Sequence, residues 1–196
     1  IDALQVLSEQ GPLRDWHGGD RVTVSRVVLE TGAPRLASWH ILKAYREDPS
    51  SLKARNAFAG EMMGDRGPLE TLEFLENNLR PTQDDDSDDR ENWLWLNFGC
   101  HTAVRDFSRA GEWVKRMAEE SQRPEDIPLA KAQIAERQDR YEEAIGLVDS
   151  ALEIRRGYRF LSIKARLITL VGRDEEAYRL LAKADQEKQT ASYCWQ

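Results

Sequence analysis

Small and apolar residues recur along the chain at a spacing that suits pairs of closely packed helices. In the stretch DRYEEAIGLVDSALEI, residues 139–154, one helical stripe carries Ala144, Val148 and Ala151, and the acidic residues fall elsewhere. Alanine at a contact position lets a second helix approach closely, whereas leucine would hold it away. The stretch therefore predicts one half of a helix pair.

The same pattern occurs six times. The residues equivalent to Ala144 are Ala3, Ala37, Thr71, Ala110, Ala144 and Ala177, at spacings of 34, 34, 39, 34 and 33 residues. Four residues after each stands an apolar residue, namely Leu7, Ile41, Leu75, Val114, Val148 or Leu181. The long spacing contains DDDSDD, residues 84–89, which we expect to form an acidic surface loop inserted between repeats.

Proline and glycine support the same register independently of the apolar pattern. Pro34 and Pro68 lie three residues before the small residue, where a second helix should begin. Gly32 and Gly172 lie five residues before it, where a left-handed residue can end the preceding helix. The stretch RVTVSRVVL, residues 21–29, has strand-like β-branched content, but its place in the repeat predicts helix.

A helix-turn-helix unit of this length and pattern resembles the tetratricopeptide repeat (TPR), over nearly the whole chain. The best copies are residues 139–154, 172–184 and 32–49. The first helices depart from the family pattern, and the fourth copy has Pro128, Lys131, Ala132 and Ala135 where tryptophan, leucine, glycine and tyrosine are expected. Other α-solenoids are the alternative. The nearest of these by period is a 35-residue RNA-reading repeat, against which the negative charge argues.

The resemblance implies an all-α, right-handed α-α superhelix, a TPR-like solenoid with a concave groove. We expect five repeats over residues 18–51, 52–90 with the acidic insertion 84–89, 91–124, 125–157 and 158–190. Residues 1–17 should be the second helix of a truncated repeat and residues 191–196 the start of a further helix, so we expect a piece of a longer array. Eight seam residues should be buried: Ala37, Ile41, Ala110, Val114, Ala144, Val148, Ala177 and Leu181.

Composition narrows the range of partners. The 196 residues carry a net charge of −7, and a binder of nucleic acid would usually carry a basic excess, so we expect no nucleic-acid partner. With a mean hydropathy of −0.66 and no long apolar run, direct membrane insertion is not expected. The distant Cys100 and Cys194 favour a reducing compartment such as the cytoplasm, with the periplasm as the alternative.

The residue types that often perform chemistry do not form a recognisable motif. Cys100 and His101 are adjacent, so on a helix their side chains diverge by roughly 100°. His17 and His40 lack a histidine or cysteine partner at helical spacing. The acidic run fails as a calcium loop, because its sixth and twelfth positions are aspartate and tryptophan. We therefore expect no catalytic residue, no metal and no cofactor. A hydrolase based on Cys100 or the histidines is the weakest alternative.

The favoured function is a scaffold that binds a protein or peptide in the concave groove. The alternative is a regulatory or docking domain of a larger enzyme. Family positions place these candidate residues in the groove: Arg26, Lys53, Asn56, Trp95, Gln133, Arg137, Arg159 and Arg166. Five cations there exceed Glu30, Asp126 and Glu136 by two charges, which favours an acidic segment.

The two-carboxylate clamp found in part of the family is absent, because its asparagine and arginine positions carry Thr23, Ala57, Leu96, Ala130 and Ile163. Trp93 and Phe98 are expected in the core, and Trp95 in the groove. An equally weighted alternative is that the groove arginines only pair with neighbouring carboxylates.

Overall fold

The computed structural model describes residues 18–78 and 80–193, with side chains up to Asp185. Within this part every regular element is an α-helix. The helices are α1 (Gly18–Glu30), α2 (Pro34–Glu47), α3 (Leu52–Asp65), α4 (Pro68–Asn77), α5 (Ser87–Ala103), α6 (Phe107–Glu120), α7 (Asp126–Arg137), α8 (Tyr141–Ile154), α9 (Tyr158–Leu170) and α10 (Asp174–Tyr193). The strand-like residues 21–29 lie in α1, as their place in the repeat predicts.

Short turns join these helices into five consecutive pairs. The pairs begin at Gly18, Leu52, Ser87, Asp126 and Tyr158, against predicted repeat starts at 18, 52, 91, 125 and 158. The described residues form two compact units, which divide after Cys100 within α5. The expected helix in residues 1–17 lies outside the described residues.

Two local expectations differ from the structure. Ser87, Asp88 and Asp89 form the first turn of α5 and are not part of a loop. The Asp86 carboxylate caps this turn by accepting hydrogen bonds from the backbone N–H groups of Asp88 (2.9 Å) and Asp89 (3.4 Å). Acidic residues are favourable at a helix N-terminus, so half of the acidic run is better placed in the helix.

The second difference concerns the end of the chain. Residues 191–193 continue α10, so they are not the start of a new helix. No glycine or proline occurs between Asp174 and Tyr193, and the chain therefore meets no residue that would end the helix.

A left-handed residue ends the first helix of each of the five pairs. These residues are Gly32, Gly67, Arg105, Asp139 and Gly172, with φ between 59° and 90°. In each turn a backbone N–H donates to the carbonyl five residues earlier, at 2.9–3.2 Å. This bond is typical of a Schellman ending, which reverses the chain within about three residues. The predicted roles of Gly32 and Gly172 are confirmed.

The predicted seam is largely buried. Ala37, Ala110, Val114, Ala144, Val148 and Ala177 are all at most 5 % exposed. Ile41 and Leu181 are only half-buried, so the prediction is wrong for them. Ile41 lines a pocket in the first unit, and Leu181 lies on α10, which no later helix covers in the described part of the chain.

Aromatic packing supplements the small residues in the first unit. Tyr45 and Phe58 stack at 4.6 Å between ring centroids, and Phe74 meets both rings edge-on. Such geometries suit the quadrupoles of the rings. The cluster connects α2, α3 and α4, and so holds the second helix pair against the first.

Enlarging the seam should destabilise the protein. Ala144 is fully buried on α8, so Ala144→Leu should overpack the seam and lower the free energy of unfolding by about 1–3 kcal/mol. Ala118→Leu, on the exposed face of α6, is the matched control and should change it by less than about 0.5 kcal/mol. Urea denaturation measures both, and equal midpoints for the two variants would refute the seam assignment.

A second pair of variants isolates the turn geometry. A Cβ at Gly172 or at Gly146 would meet no heavy atom within 4 Å, but only Gly172 has a positive φ, of 78°. Gly172→Ala should therefore cost about 1–2 kcal/mol of stability. Gly146→Ala, within α8, should add about 0.5–1 kcal/mol. Thermal unfolding compares the two, and a shift of the same sign in both would contradict the turn assignment.

Candidate functional site

A pocket of about 390 Å³ opens in the first unit. It is formed mainly by α1, α3 and α5, which are the first helices of three consecutive pairs. Its lining residues are Val22, Ser25, Arg26, Ile41, Lys53, Asn56, Ala57, Met63, Asp89, Asn92, Trp95, Leu96 and Gly99. The volume lies in the range of roughly 300–1,000 Å³ that is usual for ligand pockets.

Four of the eight candidate groove residues meet in this pocket. Arg26 lies on α1, Lys53 and Asn56 lie on α3, and Trp95 lies on α5. Trp95 is half-buried and packs edge-on against Phe98 at 5.4 Å between ring centroids. Trp93 and Phe98 are at most 5 % exposed, which confirms that they belong to the core.

Asn56 has one satisfied and one unsatisfied polar atom. Asn56 is only 6 % exposed. Its side-chain Nδ2 donates a hydrogen bond of 2.6 Å to the backbone carbonyl of Asp89. That carbonyl can only accept, so the bond determines the orientation of the amide group. Oδ1 is buried and has no hydrogen-bond partner among the described residues. A buried acceptor without a partner costs free energy.

The charges of the pocket comprise two cations and one carboxylate. Arg26 and Lys53 carry the positive charges, and Asp89 is the one acidic residue in the lining. Burial raises the pKa of Asp89, and the negative charge of Asp86 adds to this effect, whereas Lys53 and Arg26 oppose it. Among the described residues no carboxylate lies within ion-pair distance of either cation. The Nζ of Lys53 instead donates to the Thr23 hydroxyl at 3.2 Å.

The sequence alone did not identify the part of the lining contributed by α5 beyond Trp95. The sequence predicts a solvated loop at Asp89, and it does not predict Asn92, Leu96 or Gly99 as groove residues. These four residues are spaced by three, four and three positions, which is the spacing of one helical face. That signal was present, but it begins inside the acidic run and is visible only if the run is taken as helical.

The other four candidates lie in the second unit and do not contribute to the pocket. Two of them are in internal ion pairs. Arg166 binds both carboxylate oxygens of Glu136, with Nη2 to Oε2 at 2.8 Å, and this hydrogen bond raises the pKa of the guanidinium. Arg159 lies 3.9 Å from the carboxylate of the buried Asp126. Both arginines therefore pair with neighbouring carboxylates, which is the alternative to ligand binding that the sequence left open.

The side chains of Arg137 and Gln133 take no part in the ion pairs that the described residues form. The side chain of Arg137 is exposed, and its backbone carbonyl accepts a hydrogen bond of 2.8 Å from Arg105 Nη2. Gln133 is half-buried on α7. A concavity of about 630 Å³ elsewhere in this unit is lined by Asp149, Leu152, Glu153, Arg156, Leu161, Lys164, Leu180 and Lys183, none of which is a candidate.

Cys100, His40 and His101, the described residues with side chains suited to catalysis, are buried. Cys100 is completely buried, with its Sγ 3.5 Å from Met63 Sδ, and desolvation raises the pKa of its thiol to about 11. His101 is 5 % exposed and stacks on Trp113. His40 is 1 % exposed, and burial, followed by the charges of Arg21 and Lys43, lowers its pKa. His17 lies outside the described residues.

The described residues lack two other features that could indicate a function. No three histidine, cysteine, aspartate or glutamate side chains converge there as ligands for a metal ion. None of the helices described combines the length and the apolar character that crossing a bilayer requires.

The helix pairs and their turns define an all-α helical repeat fold of the TPR type. A thermophilic TPR protein from Thermus thermophilus aligns with a TM-score of 0.64 and 16 % identity, over 91 % of this chain and 100 % of its own. The C-terminal part of a TPR repeat-containing protein from Cytophaga hutchinsonii aligns with a TM-score of 0.50 and 13 % identity, over 91 % and 73 %. No protein-family model matches the sequence, and comparison with curated proteins gives no significant match. The similarities to solved structures therefore support the fold and do not assign a function.

The buried thiol should be chemically inert in the folded protein. With a pKa of about 11, only about one Cys100 thiol in a thousand is ionised near pH 8. In a Cys194→Ser background, Ellman's reagent should label Cys100 at least a hundredfold more slowly in buffer than in guanidinium chloride. Rapid labelling of the native protein would contradict its burial and revive a role as a nucleophile.

Proposed function

We propose that this protein is a non-catalytic interaction module that binds a segment of a partner polypeptide, and that the pocket of the first unit is the principal contact site. The supporting observation is the convergence of Arg26, Lys53, Asn56 and Trp95 from three different helices. TPR-like folds generally act as scaffolds, which agrees with this assignment. An acidic partner segment fits the charges of the pocket best.

The chemistry of the pocket suits a peptide with both an acidic and an apolar part. Met63, Trp95 and Leu96 provide an apolar wall, and half-buried aromatic residues often anchor partners. Arg26 and Lys53 have no carboxylate at ion-pair distance among the described residues, so an incoming carboxylate need not displace another carboxylate. Charge complementarity of this kind increases specificity and the association rate more than it increases affinity.

Reversing the two pocket cations should weaken binding without unfolding the protein. A peptide selected on the wild-type protein from a random phage library provides the ligand. The double variant Arg26→Glu and Lys53→Glu should bind it about tenfold more weakly or worse, as measured by fluorescence polarisation. Circular dichroism and the unfolding midpoint should stay close to those of the wild type, because neither side chain is fully buried.

The matched control changes the charge by the same amount outside the pocket. Arg35 and Arg46 are exposed on α2, and the variant Arg35→Glu with Arg46→Glu should change affinity less than about twofold. Asp89→Asn should act in the opposite direction and strengthen binding of an acidic peptide. Equal losses in the two double variants would show a general charge effect and exclude the pocket as the contact site.

A further inference from the structure

The outward side of α2 carries large apolar side chains that solvent reaches. Leu36 is 48 % exposed and Trp39 is 47 % exposed, and Leu42 beside them is half-buried. They follow one another at intervals of three residues, so they form one row along the helix. Arg35 and Arg46 are exposed on the same side and take part in none of the ion pairs that the described residues form. We refer to these side chains as the α2 face: Arg35, Leu36, Trp39, Leu42, Lys43 and Arg46.

The equivalent positions of the other second helices are different. Aligned on the small seam residue, the first five residues of the α2 face correspond to Leu69, Glu70, Glu73, Glu76 and Asn77 in α4, to Ser108, Arg109, Glu112, Lys115 and Arg116 in α6, to Glu142, Glu143, Gly146, Asp149 and Ser150 in α8, and to Glu175, Glu176, Arg179, Ala182 and Lys183 in α10. Apolar side chains larger than alanine number three in α2, one in α4 and none in the other three helices. The repeat fold therefore does not require apolar residues at these positions.

The Trp39 ring is held in place although half of it is exposed. The ring of His40, which is 1 % exposed, meets it edge-on at 4.9 Å between centroids. The Nζ of Lys43 lies 5.0 Å from the centroid of the indole. An aromatic side chain that is already ordered loses little conformational entropy when a partner covers it, so Trp39 is suited to act as an anchor.

The α2 face is basic on a chain whose net charge is −7. Two carboxylates at its edges are engaged with the protein itself. Glu47 accepts a hydrogen bond of 2.6 Å from Nε of the buried Arg21, and its other oxygen lies 3.8 Å from Lys43 Nζ. Glu61 of α3 accepts a hydrogen bond of 2.7 Å from the Ser38 hydroxyl. The exposed part of the face thus presents guanidinium groups next to apolar side chains, which is complementary to an acidic and apolar partner surface.

The backbone of α2 restricts the conformation of such a partner. Inside a helix the N–H and C=O groups bond to one another, so the α2 face offers side chains only. An extended chain lying on it would bury backbone groups without partners, whereas an α-helix satisfies its own. The row formed by Leu36, Trp39 and Leu42 is a ridge of the kind that fits between the side chains of a second helix.

The net charge distinguishes a docked helix from a lipid surface. A docked helix lies within about one Debye length, roughly 8 Å at physiological ionic strength, of the cations of the face. An anionic membrane extends past the whole protein and also meets the field of its acidic remainder. The combination of local positive charge and overall negative charge therefore favours a helical partner.

We infer that the α2 face is a docking surface for an acidic amphipathic α-helix of a partner protein, whose leucine-type side chains pack on Leu36 and Trp39 and whose carboxylates pair with Arg35 and Arg46. The surface is separate from the pocket, because Ile41, which lines the pocket, lies roughly 160° around α2 from Trp39. The inference does not depend on peptide binding in the pocket.

A defined helical probe tests the inference. The probe is acetyl-Glu-Ala-Leu-Glu-Glu-Leu-Leu-Ala-Glu-Leu-Glu-Ala-amide, kept helical by a hydrocarbon staple on its polar side. In ¹⁵N-labelled protein the indole N–H signal of Trp39, assigned with Trp39→Phe, should shift with saturable binding. The same stapled peptide with lysine in place of every glutamate, and an unstapled version with a central proline, should each bind at least about tenfold more weakly by fluorescence polarisation.

Variants of the apolar residues locate the contact. Leu36→Ala with Trp39→Ala should weaken binding of the probe about tenfold or more, because it removes the anchor. The matched control is Leu170→Ala with Tyr178→Ala, which removes two side chains that are 50 % and 74 % exposed in the second unit. It should change affinity less than about twofold. Circular dichroism should be close to that of the wild type for both variants.

Charge reversal supplies a test in which affinity is gained as well as lost. Arg35→Glu with Arg46→Glu should weaken the acidic probe about tenfold and strengthen the lysine probe by a similar factor. Arg26→Glu with Lys53→Glu, in the pocket, should leave the acidic probe within about twofold. The pocket peptide should respond in the opposite manner to these two variants, so failure of the docking surface and failure of the proposed function are distinguishable.

Four results would overturn the inference. The first two are no saturable shift of the Trp39 signal and equal binding of the acidic and lysine probes. The other two assign the face to a different occupant. Self-association in sedimentation velocity that Trp39→Ala abolishes would assign it to a second copy of the chain, and flotation with phosphatidylserine vesicles that Trp39→Ala abolishes would assign it to a membrane. The charge-reversal test remains decisive even if the double alanine variant does not fold.

Discussion

Close approach of helices at alanine contacts is the constraint on which the rest of the structure depends. A single helix pair cannot cover its own apolar stripe, so it is stable only against a neighbour. Ala37, Ala110, Ala144 and Ala177 stand at equivalent positions and are at most 4 % exposed. Side chains of this size allow helices to pack near the lower limit of about 8 Å between axes. The alanine faces of the second helices are therefore used for contacts within the protein.

The turns make this packing reproducible from one pair to the next. Each pair reverses direction at one left-handed residue and one hydrogen bond to the carbonyl five residues back. Glycine occupies three of these positions, whereas Arg105 and Asp139 occupy the others at a steric cost. With the second helices engaged in the seam, parts of the first helices remain available. In the first unit, faces of α1, α3 and α5 form the pocket.

Arg159 and Arg166 of the second unit are paired with carboxylates of the protein, whereas the two cations of the pocket are not paired with a described carboxylate. Arg166 and Arg159 already have Glu136 and Asp126 as partners, so a ligand would have to compete with existing ion pairs. Exposed pairs contribute little stability, but they do occupy the cation. In the pocket the nearby acid is Asp89; burial and the charge of Asp86 raise its pKa, and the charges of Lys53 and Arg26 oppose this. Asn56, which also lines the pocket, has a side-chain acceptor, Oδ1, without a hydrogen-bond partner among the described residues.

Local, periodic information was sufficient for the fold. The spacing of small residues, the apolar residue four positions later and the glycine turns predicted helix pairs, because each depends on neighbours within about one helical repeat. The TPR-like fold, six of eight buried seam residues and the core positions of Trp93 and Phe98 followed from these patterns. The helical start of α5 inside the acidic run did not follow from these patterns, because it depends on the hydrogen bonds that cap the helix at Asp86.

The sequence by itself thus determined an all-α repeat and the candidate positions on its first helices. Only the tertiary structure decided which candidates meet. Arg26, Lys53 and Trp95 are 27 and 42 residues apart in the chain, and their convergence depends on how successive pairs stack. The same holds for the ion pairs of Arg159 and Arg166, whose partners lie 33 and 30 residues earlier. A repeat pattern specifies the face on which a side chain lies, but the distance between side chains of different repeats is set by packing.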